Sequence, residues 1–266
     1  MLRNEAGRFR IEDGQIDIWL TRPCGISSDL LCRYRELLSE SERVRWRRFV
    51  ARDAQLQYIV SRALIRTTLS RYFEVPASSW RFATDGYGRP HIDAPDEFRH
   101  LQFNISHATG LVACALARVR EIGIDVENIR RDLAFDDLAR AVFSPIEASH
   151  FLQSAPELRR EVFFSYWTLK EAYIKARGRG LSLPLNAFWL NLGDDPPRIH
   201  FTDRCPDDPH RWQLRQYAPT RDHKLALAVA QVKELKVNQR WVIPLAEPTR
   251  QHDHVPPRHA RPEVAR

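Results

Sequence analysis

The strongest constraint on this chain is a change of texture that happens twice. Within residues 39–71 the apolar positions Leu56, Ile59, Val60, Ala63 and Leu64 recur at intervals of three and four, the spacing of an amphipathic helix. Short β-type runs follow: Trp80-Arg81-Phe82, a turn-prone Asp85-Gly86-Tyr87-Gly88-Arg89-Pro90, then residues 101–105, 110–116 and 122–127. A second helical stretch, residues 157–177, carries Phe163, Phe164, Tyr166, Trp167, Leu169, Ala172, Tyr173 and Ile174 and stops at Gly178 and Gly180. Strands then return at residues 188–192, 212–217 and 224–230. A short strand over residues 16–20 comes first, and Ser144-Pro145 reads as a helix cap and first-turn proline. This is the texture of a duplication.

With 266 residues, 43% of them hydrophobic, the chain can bury one generous core or two modest ones. No run of about 18 apolar residues is present and the first residues lack an apolar stretch, so a cytoplasmic protein is expected, without a membrane segment. Cys24, Cys32, Cys114 and Cys205 show neither a disulfide framework nor zinc-ligand spacing, which leaves reduced thiols. The formal charge of +7 suits nucleic acid, a phosphorylated cofactor or an acidic protein equally well. The arginines at 43, 45, 47, 48, 52, 62 and 66 form either a solvated helix face or an anion-binding one. Residues 244–266, rich in proline, histidine and arginine, are expected to be a disordered tail.

Three segments carry chemistry. In Gly123-Ile124-Asp125-Val126-Glu127 the alternation of a strand puts both carboxylates on one face, where a hard cation such as Mg²⁺ relieves their repulsion; a solvent-facing acidic edge is the alternative. In Trp167-Thr168-Leu169-Lys170-Glu171-Ala172-Tyr173-Ile174-Lys175, residues 167, 171 and 175 stack along one helical face. Phe103-Asn104-Ile105-Ser106-His107 ends a strand with polar groups at its exit, where His107 can reach a phosphate or serve as an ordinary structural histidine.

Together with Gly88-Arg89-Pro90, Phe143-Ser144 and Gly178-Arg179-Gly180-Leu181-Ser182, these blocks resemble the phosphopantetheinyl transferase superfamily, in particular its longer Sfp-type members. The resemblance covers roughly residues 43–230. It implies an α+β fold, a pseudo-twofold duplication of an antiparallel sheet packed with helices, with halves at residues 1–120 and 121–243. It also implies coenzyme A bound in the cleft between them. By family position Asp125, Glu127 and Glu171 hold Mg²⁺, Lys175 contacts the phosphates, and Ser106, His107 and Arg89 secure coenzyme A. Lys170 is a weaker phosphate contact, and Arg43, Arg48 and Arg62 are assigned to the adenosine phosphate. Glu171 or Glu127 accepts the serine proton. The implied reaction moves the phosphopantetheine arm of coenzyme A to a serine of an apo acyl or peptidyl carrier protein; a monomer with no nucleic-acid partner is expected. A basic nucleic-acid-binding protein and a metal-dependent phosphodiesterase are the competing readings.

Overall fold

The structure is a computed structural model that describes residues 8–246 other than residue 232. The chain runs β1 (Gln15–Thr21), α1 (Ser28–Leu37), α2 (Glu40–Arg47), α3 (Arg52–Tyr72), a hairpin of β2 (Arg81–Thr84) and β3 (Pro90–Ala94), then β4 (Gln102–Ala108) and β5 (Leu111–Ala117). The same order then repeats: β6 (Ile122–Asn128), α4 (Phe135–Val142), α5 (Pro145–Gln153), α6 (Pro156–Arg177), a hairpin of β7 (Phe188–Asn191) and β8 (Arg198–Phe201), then β9 (Trp212–Thr220) and β10 (His223–Ala230). In each run the first strand pairs with the last and the last with the one before it, giving the orders β1-β5-β4 and β6-β10-β9. The duplication is therefore visible in connectivity, and the α+β expectation agrees with it.

One strand departs from this symmetry. β11 (Lys236–Trp241) lies in the stretch assigned from sequence to the second half, yet it pairs in parallel with β1. Its sequence, Lys-Val-Asn-Gln-Arg-Trp, has too little apolar alternation to announce a strand, and polar contacts fix it: Asn238 Nδ2 donates to the buried Asp17 at 2.7 Å. The start of the stretch expected to be a disordered tail is packed. The Tyr34 hydroxyl donates to the Pro244 carbonyl at 2.7 Å, so residues 244–246 belong to the first half's packing, while 247–266 lie outside the described residues.

The helix expected within residues 39–71 is two. Ser39 closes a capping box with Glu42 to start α2, and α3 begins afresh after Ala51. Sequence pattern was clearest for α6, whose end is fixed by Gly178 in the left-handed conformation at φ 65°.

Strict alternation builds the core. On β5, Val112, Cys114 and Leu116 pack under α3, while Leu111, Ala113, Ala115 and Ala117 join Ile16, Ile18, Leu20, Ile122, Ile124, Val126, Leu225, Leu227 and Val229 between the sheets. Ala226 and Ala228 of β10 face α6 on the far side. Strands buried on both faces read as continuous apolar runs, as β5 does. Cys114 and Cys205 are buried free thiols and Cys24 and Cys32 exposed ones. Among the described residues no helix is long and apolar enough to cross a membrane.

Gly123 sets how closely α6 approaches β6. A Cβ there would stand 2.0 Å from the Ala172 carbonyl oxygen and 2.4 Å from the Ala176 nitrogen, so backbone meets backbone. Gly123→Ala must push the helix away. We expect a loss at or above the top of the ~1–3 kcal/mol range for overpacking, read as a lowered urea midpoint.

Candidate active site

The register of α6 on β6 assembles the site. Two strand residues span about 6.6 Å and four helical residues about 6 Å, so alternate positions of β6 stay in step with every fourth position of α6. Gly123 lies under Ala172 and Ala176, Asp125 meets Lys175, and Glu127 meets Trp167. The Lys175 ammonium donates to Asp125 Oδ1 at 2.6 Å and to Ser106 Oγ at 2.9 Å. Glu127 accepts from Trp167 Nε1 at 3.1 Å and from Arg131 at 2.8 Å.

β4 closes the site from the other half. Asn104 Oδ1 accepts the Ile124 N–H at 2.9 Å and Ser106 Oγ accepts the Val126 N–H at 3.1 Å, so side chains of β4 substitute for a backbone ladder along the edge of β6. Ser106 also donates to Asp125 Oδ1 at 3.0 Å. The two halves are joined along this seam by the same residues that line the site.

Electrostatics mark the acidic group as crowded. Burial, and then the charge of Asp125, raise Glu127 above the ordinary carboxylate range, against the pull of Arg131. Burial and Asp125 raise Glu171 likewise, opposed by Lys175, and Glu127 adds to the rise. Glu171 accepts no hydrogen bond from any described residue. Asp125 is 4% exposed and its Oδ2 is a buried oxygen with no donor. An orphaned anionic oxygen on a carboxylate whose charge raises two neighbouring carboxylates fits a divalent cation. The described residues do not hold the three carboxylates at coordinating distance in one cluster, because Lys175 and Arg131 draw Asp125 and Glu127 to themselves.

Basic groups flank the acids. His107 sits at the surface end of β4; protein packed around its ring, then the Lys175 ammonium, hold it below the usual histidine range, against Asp125, and Arg62 adds to the lowering. Arg45 and Arg62 lie over the Tyr58 ring at 5.8 and 5.2 Å. A cavity of about 440 Å³ opens beside Lys175 and Glu171, bounded by Gly88, Arg89, Asn104, Leu183 and Pro184.

Residues 121–230 match the family description "4'-phosphopantetheinyl transferase superfamily", and residues 26–118 match "4'-phosphopantetheinyl transferase, N-terminal". The chain is similar to 4'-phosphopantetheinyl transferase Sfp of Bacillus subtilis (strain 168), 31% identical over 214 residues, 80% of this chain and 90% of that protein. It is also similar to 4'-phosphopantetheinyl transferase HetI of Nostoc sp. (strain PCC 7120 / SAG 25.82 / UTEX 2576), 35% identical over 194 residues, 73% of this chain and 78% of that protein. The chain belongs to the 4'-phosphopantetheinyl transferase superfamily.

Not every residue assigned from the motifs reaches this transferase's site. Asp125, Glu127, Glu171, Lys175, Ser106, His107 and Arg62 form one neighbourhood. Lys170 does not join it: a residue adjacent to Glu171 is turned about 100° around the helix. Its ammonium is fully buried, bonded to Glu147 and to the carbonyls of Leu185 and Phe188 at 2.8, 2.7 and 2.8 Å. Arg43 lies in a separate groove between α2 and the end of α1, and Arg48 is an exposed residue at the end of α2. Arg89 is largely committed as a strut, donating to the Ala176 carbonyl and to Gln102 Oε1, both at 3.0 Å, although it still borders the cavity. Arg66 is buried on Glu42 and the Trp80 carbonyl, so the arginine-rich stretch is no continuous basic face.

Three residues have roles that the sequence motifs do not announce. Arg45 and Tyr58, one on each of α2 and α3, needed only the break at residues 48–51 to be recognised as facing Arg62. Glu147, the third helical residue after the Ser144 cap, gave its signal as a capping box.

Proposed function

We propose that this transferase moves the phosphopantetheine arm of coenzyme A to a serine hydroxyl of an apo acyl or peptidyl carrier protein and releases adenosine 3',5'-bisphosphate. The observation that carries the reading is the Lys175 ammonium, held between Asp125 and Ser106 beside the uncommitted carboxylate of Glu171. Lys175 supplies positive charge where non-bridging phosphate oxygens and a departing phosphate gather it. Glu171, with its basicity lifted and no donor attached, is the better acceptor of the serine proton than Glu127, whose oxygens take Trp167 and Arg131. Trp167 in turn keeps Glu127 aimed along the seam.

Asp125, Glu127 and Glu171 would hold Mg²⁺, which when bound neutralises charge on the phosphate oxygens. Arg62 and His107, with Arg45 against the shared Tyr58 ring, form the basic pocket we assign to the adenosine phosphate. We expect Arg62→Ala to raise KM for coenzyme A about tenfold while kcat stays within about twofold, the mark of an interaction made equally in ground and transition states. Steady-state kinetics with varied coenzyme A check this.

The direct test incubates the purified protein with coenzyme A, Mg²⁺ and a panel of apo carriers and reads intact mass. A carrier heavier by one phosphopantetheine supports the reading; free pantetheine phosphate with unmodified carrier would instead indicate hydrolysis. The nucleic-acid alternative loses its main support, since Arg62 and Arg66 are paired with Glu42. We also propose a cytoplasmic monomer, because one chain contributes both sides of the seam; light scattering on the active fraction checks the monomer.

A further inference from the structure

A second basic site lies where α2 meets the end of α1. Arg43, Trp46 and Arg47 stand at i, i+3 and i+4 and share one helical face, whereas Glu42 and Arg45 turn to Arg66 and Tyr58 of α3. With Arg35, Glu36 and Leu38 they line a groove of about 300 Å³, and no residue of this groove borders the cavity beside Lys175.

The groove is short of negative charge. Arg43 has one contact, 3.8 Å from the exposed Glu40. Arg35 and Arg47 make no ion pair among the described residues, and neither does Glu36, which lines the same groove. The Arg35 guanidinium lies 5.1 Å from the centre of the Trp46 ring. The Trp46 indole N–H is buried and has no acceptor. An unmet buried donor costs roughly 1–3 kcal/mol, and clustered guanidiniums repel one another. An anion with several oxygens relieves that repulsion.

We infer that this groove binds a phosphate-type oxyanion, gripped by the guanidiniums of Arg35, Arg43 and Arg47 beside the Trp46 indole. Planar forks match tetrahedral oxyanions in pairs of hydrogen bonds, which lysines do not. Glu36 opposes the bound charge and sets an upper limit on affinity.

The test uses the full chain with ¹⁵N-labelled tryptophan at fixed ionic strength. The Trp46 indole signal is identified by its loss in Trp46→Phe. Titration with inorganic phosphate, and in a second arm with pyrophosphate, should shift that signal saturably. Arg35→Ala/Arg47→Ala should bind about tenfold more weakly or worse, given two lost charge-assisted contacts, and Glu36→Gln more tightly, with KM for coenzyme A unchanged in both. Equal affinity for the two anions supports a site for one phosphate; tighter pyrophosphate binding supports a site that spans two. A Trp46 signal that stays fixed while that of Trp167 moves would assign the anion to the catalytic cleft alone and overturn the inference. A double variant that titrates like the parent would overturn it as well.

Discussion

Asp125→Asn and Glu171→Gln should each lower phosphopantetheine transfer by roughly 10²–10³-fold or more, the scale on which preorganised charge acts in a transition state. Asp125 has the larger role in the geometry. Its Oδ1 fixes Lys175 and takes the Ser106 hydroxyl, and its Oδ2 is buried without a donor. Asparagine retains the shape but removes the charge that attracts both Lys175 and a cation. Glu171→Gln removes a proton acceptor whose basicity is raised by burial and by Asp125. Both variants should keep far-UV circular dichroism and a cooperative thermal transition, since each substitution preserves side-chain shape and neither residue belongs to a hydrophobic core cluster. Initial rates by intact mass, with Mg²⁺ varied, measure the effect. A variant within about tenfold of the parent at saturating Mg²⁺ would detach that carboxylate from the chemistry.

Lys170→Met should have its effect on stability. Glu147 and Lys170 are both 0% exposed at the side chain, 2.8 Å apart, and Glu147 also accepts the N–H groups of Ser144 at 2.8 Å and Leu190 at 2.9 Å. One buried carboxylate thus ties α5, α6 and β7 together. Removing the ammonium leaves an uncompensated charge and two carbonyls without a donor, at a cost of about 3–5 kcal/mol. Lys170→Met/Glu147→Gln should recover roughly half, because the amide is neutral but can still accept an N–H bond. Urea unfolding of the two variants decides it. If Lys170→Met unfolds at the parental midpoint and fails only in catalysis, Lys170 belongs to the chemistry after all.

What could be read from the sequence was what is local. The alternation in residues 122–127 and the three-and-four spacing of residues 167–175 each follow from one element's period, and their meeting follows because the two periods stay in step. Ser144 and Gly178 marked helix ends through capping chemistry that needs no tertiary context. Misreadings arose where burial decides a role. Lys170 sits beside Glu171 in the chain but turns into the core of the second half. Arg66 looks like Arg62 in a list of basic residues, yet it is wholly buried and Arg62 faces the site. The pairing of β11 with β1 depends on Asp17 and Asn238, 221 positions apart, a distance over which no periodicity extends.

That pairing has a kinetic consequence during synthesis. The sheet that emerges first from the ribosome gains its outer strand only when the final described segment has been made. Until then β1 shows an open edge and the Asp17 carboxylate lacks its Asn238 and Arg240 partners. The later-made sheet, β6-β10-β9, draws its strands from one contiguous stretch and has no such wait. Released chains truncated after residue 230 should accordingly present a protease-resistant second half beside a first half that is still cleavable.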